Sequence, residues 1–363
     1  MADELESPAG ALIAPTSATS TDRFGILSRS TLLRHTLTAL VGFGLLWLLI
    51  SGFSDYHNSA WIAPIAYTVC AAAGLTLLVG LSGQISLGHG AFMLVGAYTL
   101  ALVQEHWTTS HGNLAMIGLL AASAAGAALF GALVGAAAAR LRGPYLAGAT
   151  LALALGLPTL PSYEKLSDQL GGNAGLFVSS PNPPNSMDIY RWQSVICCVS
   201  AIVVLWVLAN VSRSRVGRSF RAVRDDEIAA SLCGLSVPRV QVLAFVLSAA
   251  GAGVAGGLLA MIDLTAGPQA FPLALSLGLL AAVVFGGLGS LAGAVYGSIL
   301  VVLLPLWSQD ITDALSVHSH KVSNNMPLMV YGIVLAVAML AVPNGVQGLL
   351  RRLRIFLTTD RRR

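Results

Sequence analysis

Long apolar runs alternate with short polar segments along most of the chain, and most runs approach the length a helix needs to cross a hydrocarbon layer. Spans read at 35–53, 60–81, 86–103, 114–139, 145–160, 192–211, 241–262, 272–287, 291–307 and 327–342. The pattern therefore predicts an all-α polytopic membrane protein with about ten transmembrane helices. One stretch breaks the pattern. Between the second and third runs lies LSGQISLGHG, residues 81–90, which sets Ser82, Gln84, Ser86 and His89 among Gly83, Gly88 and Gly90. Backbone groups in hydrocarbon must be satisfied internally, so an interrupted helix survives there only where it is buried in protein or faces a watery cavity. Such interruptions point to a transport pathway.

Around the spans, residues 1–34 read as a polar cytoplasmic tail, 35–350 as the transmembrane domain with a long inner loop at 213–240, and 351–363 as a basic cytoplasmic tail. The first apolar run comes too late and is too long for a signal peptide. Composition agrees with a membrane protein: 55% of residues are hydrophobic and only 10% charged, with a mean hydropathy of +0.76. Soluble chains carry roughly 25% charged residues. A net charge of +4 could suggest nucleic acid, but basic residues beside apolar spans face the cytoplasm and anionic lipid. With the amino terminus inside, all of the 20 lysines and arginines except Lys165, Arg191 and Lys321 fall on inner segments. Both termini are thus expected in the cytoplasm, with membrane lipid as a partner and no nucleic acid. Cys70, Cys197 and Cys198 lie in apolar runs and Cys233 in a basic loop, a spacing that fits neither a disulfide framework nor a zinc site.

Several features could carry chemistry. His89 opens the third run, where a proton relay competes with a solvated or backbone-bonded histidine near the inner end of a span. No Asp, Glu, Lys or Arg falls within the spans to complete a relay. The glycine pairs 131/135, 253/257 and 293/297 have GxxxG spacing, which reads as tight helix packing. GGLGSLAG, Gly286–Gly293, formally fits a dinucleotide fingerprint at Gly287, Gly289 and Ala292. That fingerprint works only between a strand and a helix, so a tight inner turn between two spans is the better reading. In Arg213–Val240, Arg218, Arg221 and Arg224 fall along one side of a helix, with Asp225, Asp226 and Glu227 following and Gly234 and Pro238 stopping it. A capped helix ending in EIAASLCG suits docking to a soluble partner. On the outer side, 162–191 reads as an irregular lid or docking surface, and His318, His320 and Lys321 as surface, with no metal site. Neither lysine, Lys165 or Lys321, follows a phosphate-binding glycine loop, so any ATP hydrolysis is expected on another polypeptide.

GLSGQISLGHGAFMLVGAYTLAL resembles the hallmark segment of LivM-type permeases of branched-chain amino acid ABC importers. The resemblance continues through RLRGPYLAGATLAL, LGGNAGL, RSRVGRSFRAVRDDEIAASLCGLSVPRVQVLAFVLSAAGAGVAGGLLA, VVFGGLGSLAGAVYG and PNGVQGLL, covering roughly 60–350 in order. It implies an ABC importer permease fold in the inner membrane, without catalytic residues or a bound cofactor. It implies four companion subunits: a second related permease, two cytoplasmic ATPase subunits that hold ATP and magnesium, and an extracytoplasmic substrate-binding protein. EIAASLCG is similar to the coupling helix that docks the ATPase, which assigns coupling to Arg218, Arg221, Arg224, Glu227, Ala229, Ala230 and Gly234. By the same carry-over, Ser82, Gly83, Gln84, Ser86, Gly88, His89 and Gly90, with Gly286, Gly287 and Gly289, border the translocation path.

The chain departs from the family where members usually have Gly-Glu after the fifth span; here it reads LALALGLPTLPSYEK, with Leu157, Pro158 and Pro161. Urea, amides or aromatic acids therefore stand beside branched-chain amino acids as cargo, and a self-sufficient ion-coupled carrier or channel stands as the rival mechanism. The expected topology has a direct test: a membrane-impermeant maleimide should label Cys233 only after permeabilisation, and a cysteine introduced by Ser180→Cys in intact cells.

Overall fold

Small residues decide how the helices meet, because lipid offers no hydrophobic drive for their association and contact must come from close backbone approach. The computed structural model describes residues 31–52, 61–107, 113–141, 143–184 and 187–316, together with 332, 333, 336 and 345–349. The last predicted span, the His318–Lys321 segment and both termini lie wholly or largely outside the described residues.

The helices are α1 Thr31–Gly52, α2 Ala63–Leu75, α3 His89–Trp107, α4 Asn113–Ala138, α5 Pro144–Gly156, α6 Glu164–Leu170 and α7 Ile189–Arg213. They continue with α8 Arg215–Asp225, α9 Glu227–Leu232, α10 Val237–Asp263, α11 Leu273–Gly286 and α12 Leu291–Ser316. α2 runs on through a π-helical turn, Thr76–Leu81, and α5 through a 3₁₀ turn, Leu157–Ser162. Among the described residues, six helical segments are long and apolar enough to cross a membrane: Ala63–Leu81, Ala115–Ala138, Pro144–Ser162, Ile189–Arg213, Val237–Asp263 and Pro268–Gly286. The 162–191 segment is not wholly irregular. Leu176–Phe177 (β1) pairs antiparallel with Thr265–Ala266 (β2), Leu176 opposite Ala266.

α10 is the central helix, packed against α2, α3 and α4. Its middle is buried and built from small residues, Ala249, Gly251, Ala252, Gly253, Ala255, Gly256 and Gly257. Gly253 faces Gly96 of α3 on one side and Ala127 and Ser123 of α4 on another, and a Cβ on Gly256 would run into the Met93 carbonyl. Gly131 and Gly135 bring α4 against Phe245, and Gly293 and Gly297 bring α12 against Gly286 and Ala282 of α11. All three GxxxG pairs therefore serve packing within the chain. Ser123 Oγ lies 2.8 Å from the Gly96 carbonyl and 2.6 Å from the Gly253 carbonyl, so its single proton is shared between α3 and α10. Phe92 of α3 meets Phe130 of α4 and Phe245 of α10 edge to face at 6.0 and 6.3 Å.

These contacts separate two kinds of glycine. Gly256→Ala should destabilise the protein by about 1–3 kcal/mol, the usual cost of overpacking, read as a lower unfolding temperature in detergent. Gly118→Ala in α4, where nothing lies within 4 Å of the added methyl group, should leave that temperature unlowered.

Candidate functional site

The break begins before the polar residues do. Over Thr76–Leu81 the helix widens, and Ser82 N donates to the Leu77 carbonyl at 3.1 Å, one residue further back than in an α-helix. Two hydroxyls add a second donor to carbonyls that already accept a backbone N–H: Thr76 Oγ1 donates to Ala72 O and Ser82 Oγ to Leu78 O, each at 2.7 Å. Gly83, at φ +74°, then turns the chain out of the helix, a conformation that glycine adopts without steric cost.

Between Gly83 and Gly88 the backbone has no helix of its own, and neighbouring helices bond to it at Leu87 and to the start of α3 at Gly90. Leu87 N donates to Thr150 Oγ1 of α5 at 3.0 Å, and Gly90 N to Ser276 Oγ of α11 at 2.9 Å. Gly88 N donates to Ser86 Oγ at 3.4 Å, while the Thr150 carbonyl packs on Gly88. His89 is fully buried; its Nε2 donates to the Ala71 carbonyl at 2.9 Å, and its Nδ1 has no partner among the described residues. Of the two bland placements the sequence allows for this histidine, solvated or backbone-bonded, the structure shows the second. Ser82, Gln84 and Ser86 are buried, whereas Gly83 and Ile85 reach the surface.

The second glycine segment closes on the first. Gly287 and Gly289 adopt φ +112° and +80°, turning the chain from α11 into α12. A Cβ on Gly80 would collide with the Gly289 backbone, and a Cβ on Gly345 with that of Gly287. The 81–90 and 286–289 segments, separate in sequence, are thus joined at Gly80, one position before the stretch that the polar pattern marks.

The 213–240 loop differs from the single helix expected. α8 begins at Ser214, whose hydroxyl accepts from Val216 N at 3.1 Å, and it ends at Asp225. Asp226 is extended, φ −159° and ψ 110°, and its Oδ1 accepts from Ile228 N at 2.8 Å and Ala229 N at 3.0 Å. It therefore caps a new helix, α9, and a capping carboxylate replaces the backbone bond that would have continued the old one. Gly234, at φ +83°, terminates α9 as expected, but Pro238 lies in the first turn of α10, where proline costs no hydrogen bond.

Within this loop, Gly217, Phe220 and Val223 bury the apolar side of α8, while Arg218 is exposed and Arg221 half-buried. Arg224 turns toward the break: its Nη1 donates to the Gly80 carbonyl at 2.8 Å, and its Nε and Nη2 to Asp225 Oδ1 at 3.0 and 2.8 Å. On α9, Ala230 is buried and Ala229 exposed, and Ile228 and Leu232 stand 74% and 83% exposed one turn apart. Glu227 accepts from Gln241 Nε2 at 3.1 Å. A cavity of about 220 Å³ lies between the break and the loop, lined on one side by Ser82 to Ile85 and on the other by Arg224, Glu227 and Gln241. A neighbouring one of about 510 Å³ opens between α9, the end of α4 and the start of α10.

Thr150, Ser276, Gly80 and Gln241 are absent from the sequence-derived set although they hold it together. Thr150 and Ser276 did leave a signal, each a lone hydroxyl in an otherwise apolar stretch, LAGATLALAL and PLALSLGLL. Gly80 and Gln241 left none that local pattern could single out.

Residues 59–340 match the family described as branched-chain amino acid transport system / permease component. The high-affinity branched-chain amino acid transport system permease protein LivM of Escherichia coli (strain K12) is 33% identical over 256 residues, 63% of this chain and 58% of LivM. BraD of Pseudomonas aeruginosa, similarly described, is 29% identical over 262 residues, 66% of this chain and 81% of BraD. LivH of Escherichia coli (strain K12) is 28% identical over 302 residues, 76% of this chain and 90% of LivH. The chain thus spans somewhat under two thirds of LivM and most of LivH. With the family match extending from α2 through the break, the inner loop and the glycine turn, this chain belongs to the branched-chain amino acid transport permeases.

Proposed function

We propose that this chain is a transmembrane permease subunit of an ABC importer in the inner membrane, forming part of the path for branched-chain amino acids or a related small polar solute. The observation that carries the proposal is the junction at Gly80, where the broken helix, the glycine turn and the inner loop meet. Family membership supports the transport role. The exposed Ile228 and Leu232 on a capped helix suit a surface made to be covered by a soluble subunit. ATP and magnesium are held on two partner ATPase subunits, and the chain itself carries no ATPase chemistry. A second related permease completes the pathway, and an extracytoplasmic binding protein delivers the solute to the outer loops. About ten helices cross the bilayer, with both termini in the cytoplasm. Closure of the ATPases displaces α8 and α9, and the helices switch between outward and inward access as rigid bodies.

One observation favours keeping a second cargo class. The departure at Leu157, Pro158 and Pro161 forms the 3₁₀ turn that ends α5, the helix whose Thr150 holds the break. A changed end to that helix bears on what passes beside it, so urea, amides and aromatic acids belong in the transport assay with leucine, isoleucine and valine.

The purified chain should carry its ATPase subunits with it. Deleting 225–234, or Glu227→Arg, should abolish that association while leaving the monodisperse membrane fold intact. An assembled complex after the deletion would remove α9 from the interface. Solute accumulation by this chain alone in ATP-free liposomes would establish the ion-coupled carrier instead.

A further inference from the structure

The geometry points to Arg224 as a positioning residue that ties the inner loop to the broken helix and carries displacement of α8 and α9 into the translocation path; this rests on the permease-subunit reading above. Gly80 shows why an arginine is needed. In a continued α-helix its carbonyl would accept from an N–H four residues on, but the chain turns away at Gly83, and Gln84 N donates instead to Leu78 O. The guanidinium supplies the missing donor at 2.8 Å. Asp225 grips its other edge through one carboxylate oxygen, which fixes the direction in which Nη1 points.

The contact is more than one hydrogen bond. The aliphatic stem of Arg224 lies against Gly83, where an added Cβ would stand 2.7 Å from Arg224 Cγ. Gly80 in turn abuts the Gly289 backbone. One side chain therefore touches the break at both ends of its turn and, through Gly80, reaches the glycine turn. At its root it stands two residues from Asp226, the cap from which α9 starts. A shift of α9 reaches Arg224 through that short backbone link, and from there the only intervening matter is the side chain itself. Lysine could not replace it fully, since an ammonium offers a point charge where the guanidinium fork engages Gly80 and Asp225 together.

Two measurements test this. Hydrogen exchange on the full chain in detergent should show R224A accelerating amides at 81–88 about tenfold or more, with α10 unchanged, as expected for a local opening. In the reconstituted complex R224A should still carry the ATPase subunits, but the ATP hydrolysed per solute moved should rise about tenfold, within the usual range of coupling between sites. R224K should fall between R224A and wild type. Asp225→Asn, which keeps the stem over Gly83, should move both readouts the same way by a smaller factor and decides the matter if R224A does not fold. Wild-type exchange and a wild-type ratio in R224A, or in Asp225→Asn where R224A fails to fold, overturn the proposal. So does loss of the ATPase subunits by R224A with exchange unaltered, which would make Arg224 a docking contact. If the wild-type chain binds no ATPase, the permease-subunit reading fails and exchange alone decides: local acceleration supports the tie, and unchanged exchange overturns it.

Discussion

An unpaired peptide group away from water costs about 1–3 kcal/mol, and the segment from Ser82 to Gly88 gives up helical pairing where Ser82, Gln84, Ser86 and Gly88 are buried. It persists because neighbouring helices bond to it and to both its flanks: the Thr150 hydroxyl of α5 accepts from Leu87 N, the Ser276 hydroxyl of α11 accepts from Gly90 N, and the Arg224 guanidinium of α8 donates to Gly80 O. His89 works in the other direction, reaching from the start of α3 to the Ala71 carbonyl of α2. The two halves of the broken helix are therefore stitched to each other and to three neighbours. The arrangement of helices around the break follows from where those partners must stand.

The rest of the packing serves this requirement. Helices can come close enough for a hydroxyl to reach a foreign backbone only where side chains are small, and the contacts at Gly74, Gly96, Gly253 and Gly256 provide that approach around α10. Contacts also fall into two groups along the helices. Segments expected on the outer face meet each other, Gln104 with Ser179 and β1 with β2. Those expected inside do likewise: Gly80 meets Gly289 and Arg224, and Gly345 meets Gly287. Among the described residues none of these contacts joins the two sets.

Much of this was written in the hydrophobic pattern. α2, α4, α7 and α10 lie within a few residues of their predicted spans, and the polar interruption at 81–90 and the glycine turn at 286–289 are both real departures from helix. What escaped has physical reasons. The π turn lies in TLLVGL, whose side chains are almost uniformly apolar, so periodicity carries no trace of the widened backbone. The split at Asp226 was hidden because three consecutive acids read equally well as a helix end or a cap, and only the backbone bonds of Ile228 and Ala229 distinguish them. The two-residue strands are too short for alternation to register. For the site, the polar residues of the break announced themselves, while their partners on α5, α8 and α11 became identifiable only once the helices were in place.

Ser123 of α4 joins two neighbouring helices at once. Its one proton, shared by the Gly96 and Gly253 carbonyls, lies where α3, α4 and α10 approach so closely that none of the three can slide without breaking a buried polar contact and opening glycine seams together. On the proposed permease reading those three helices are the fixed frame against which α8 and α9 would move, because the seam at Ser123 ties them to one another.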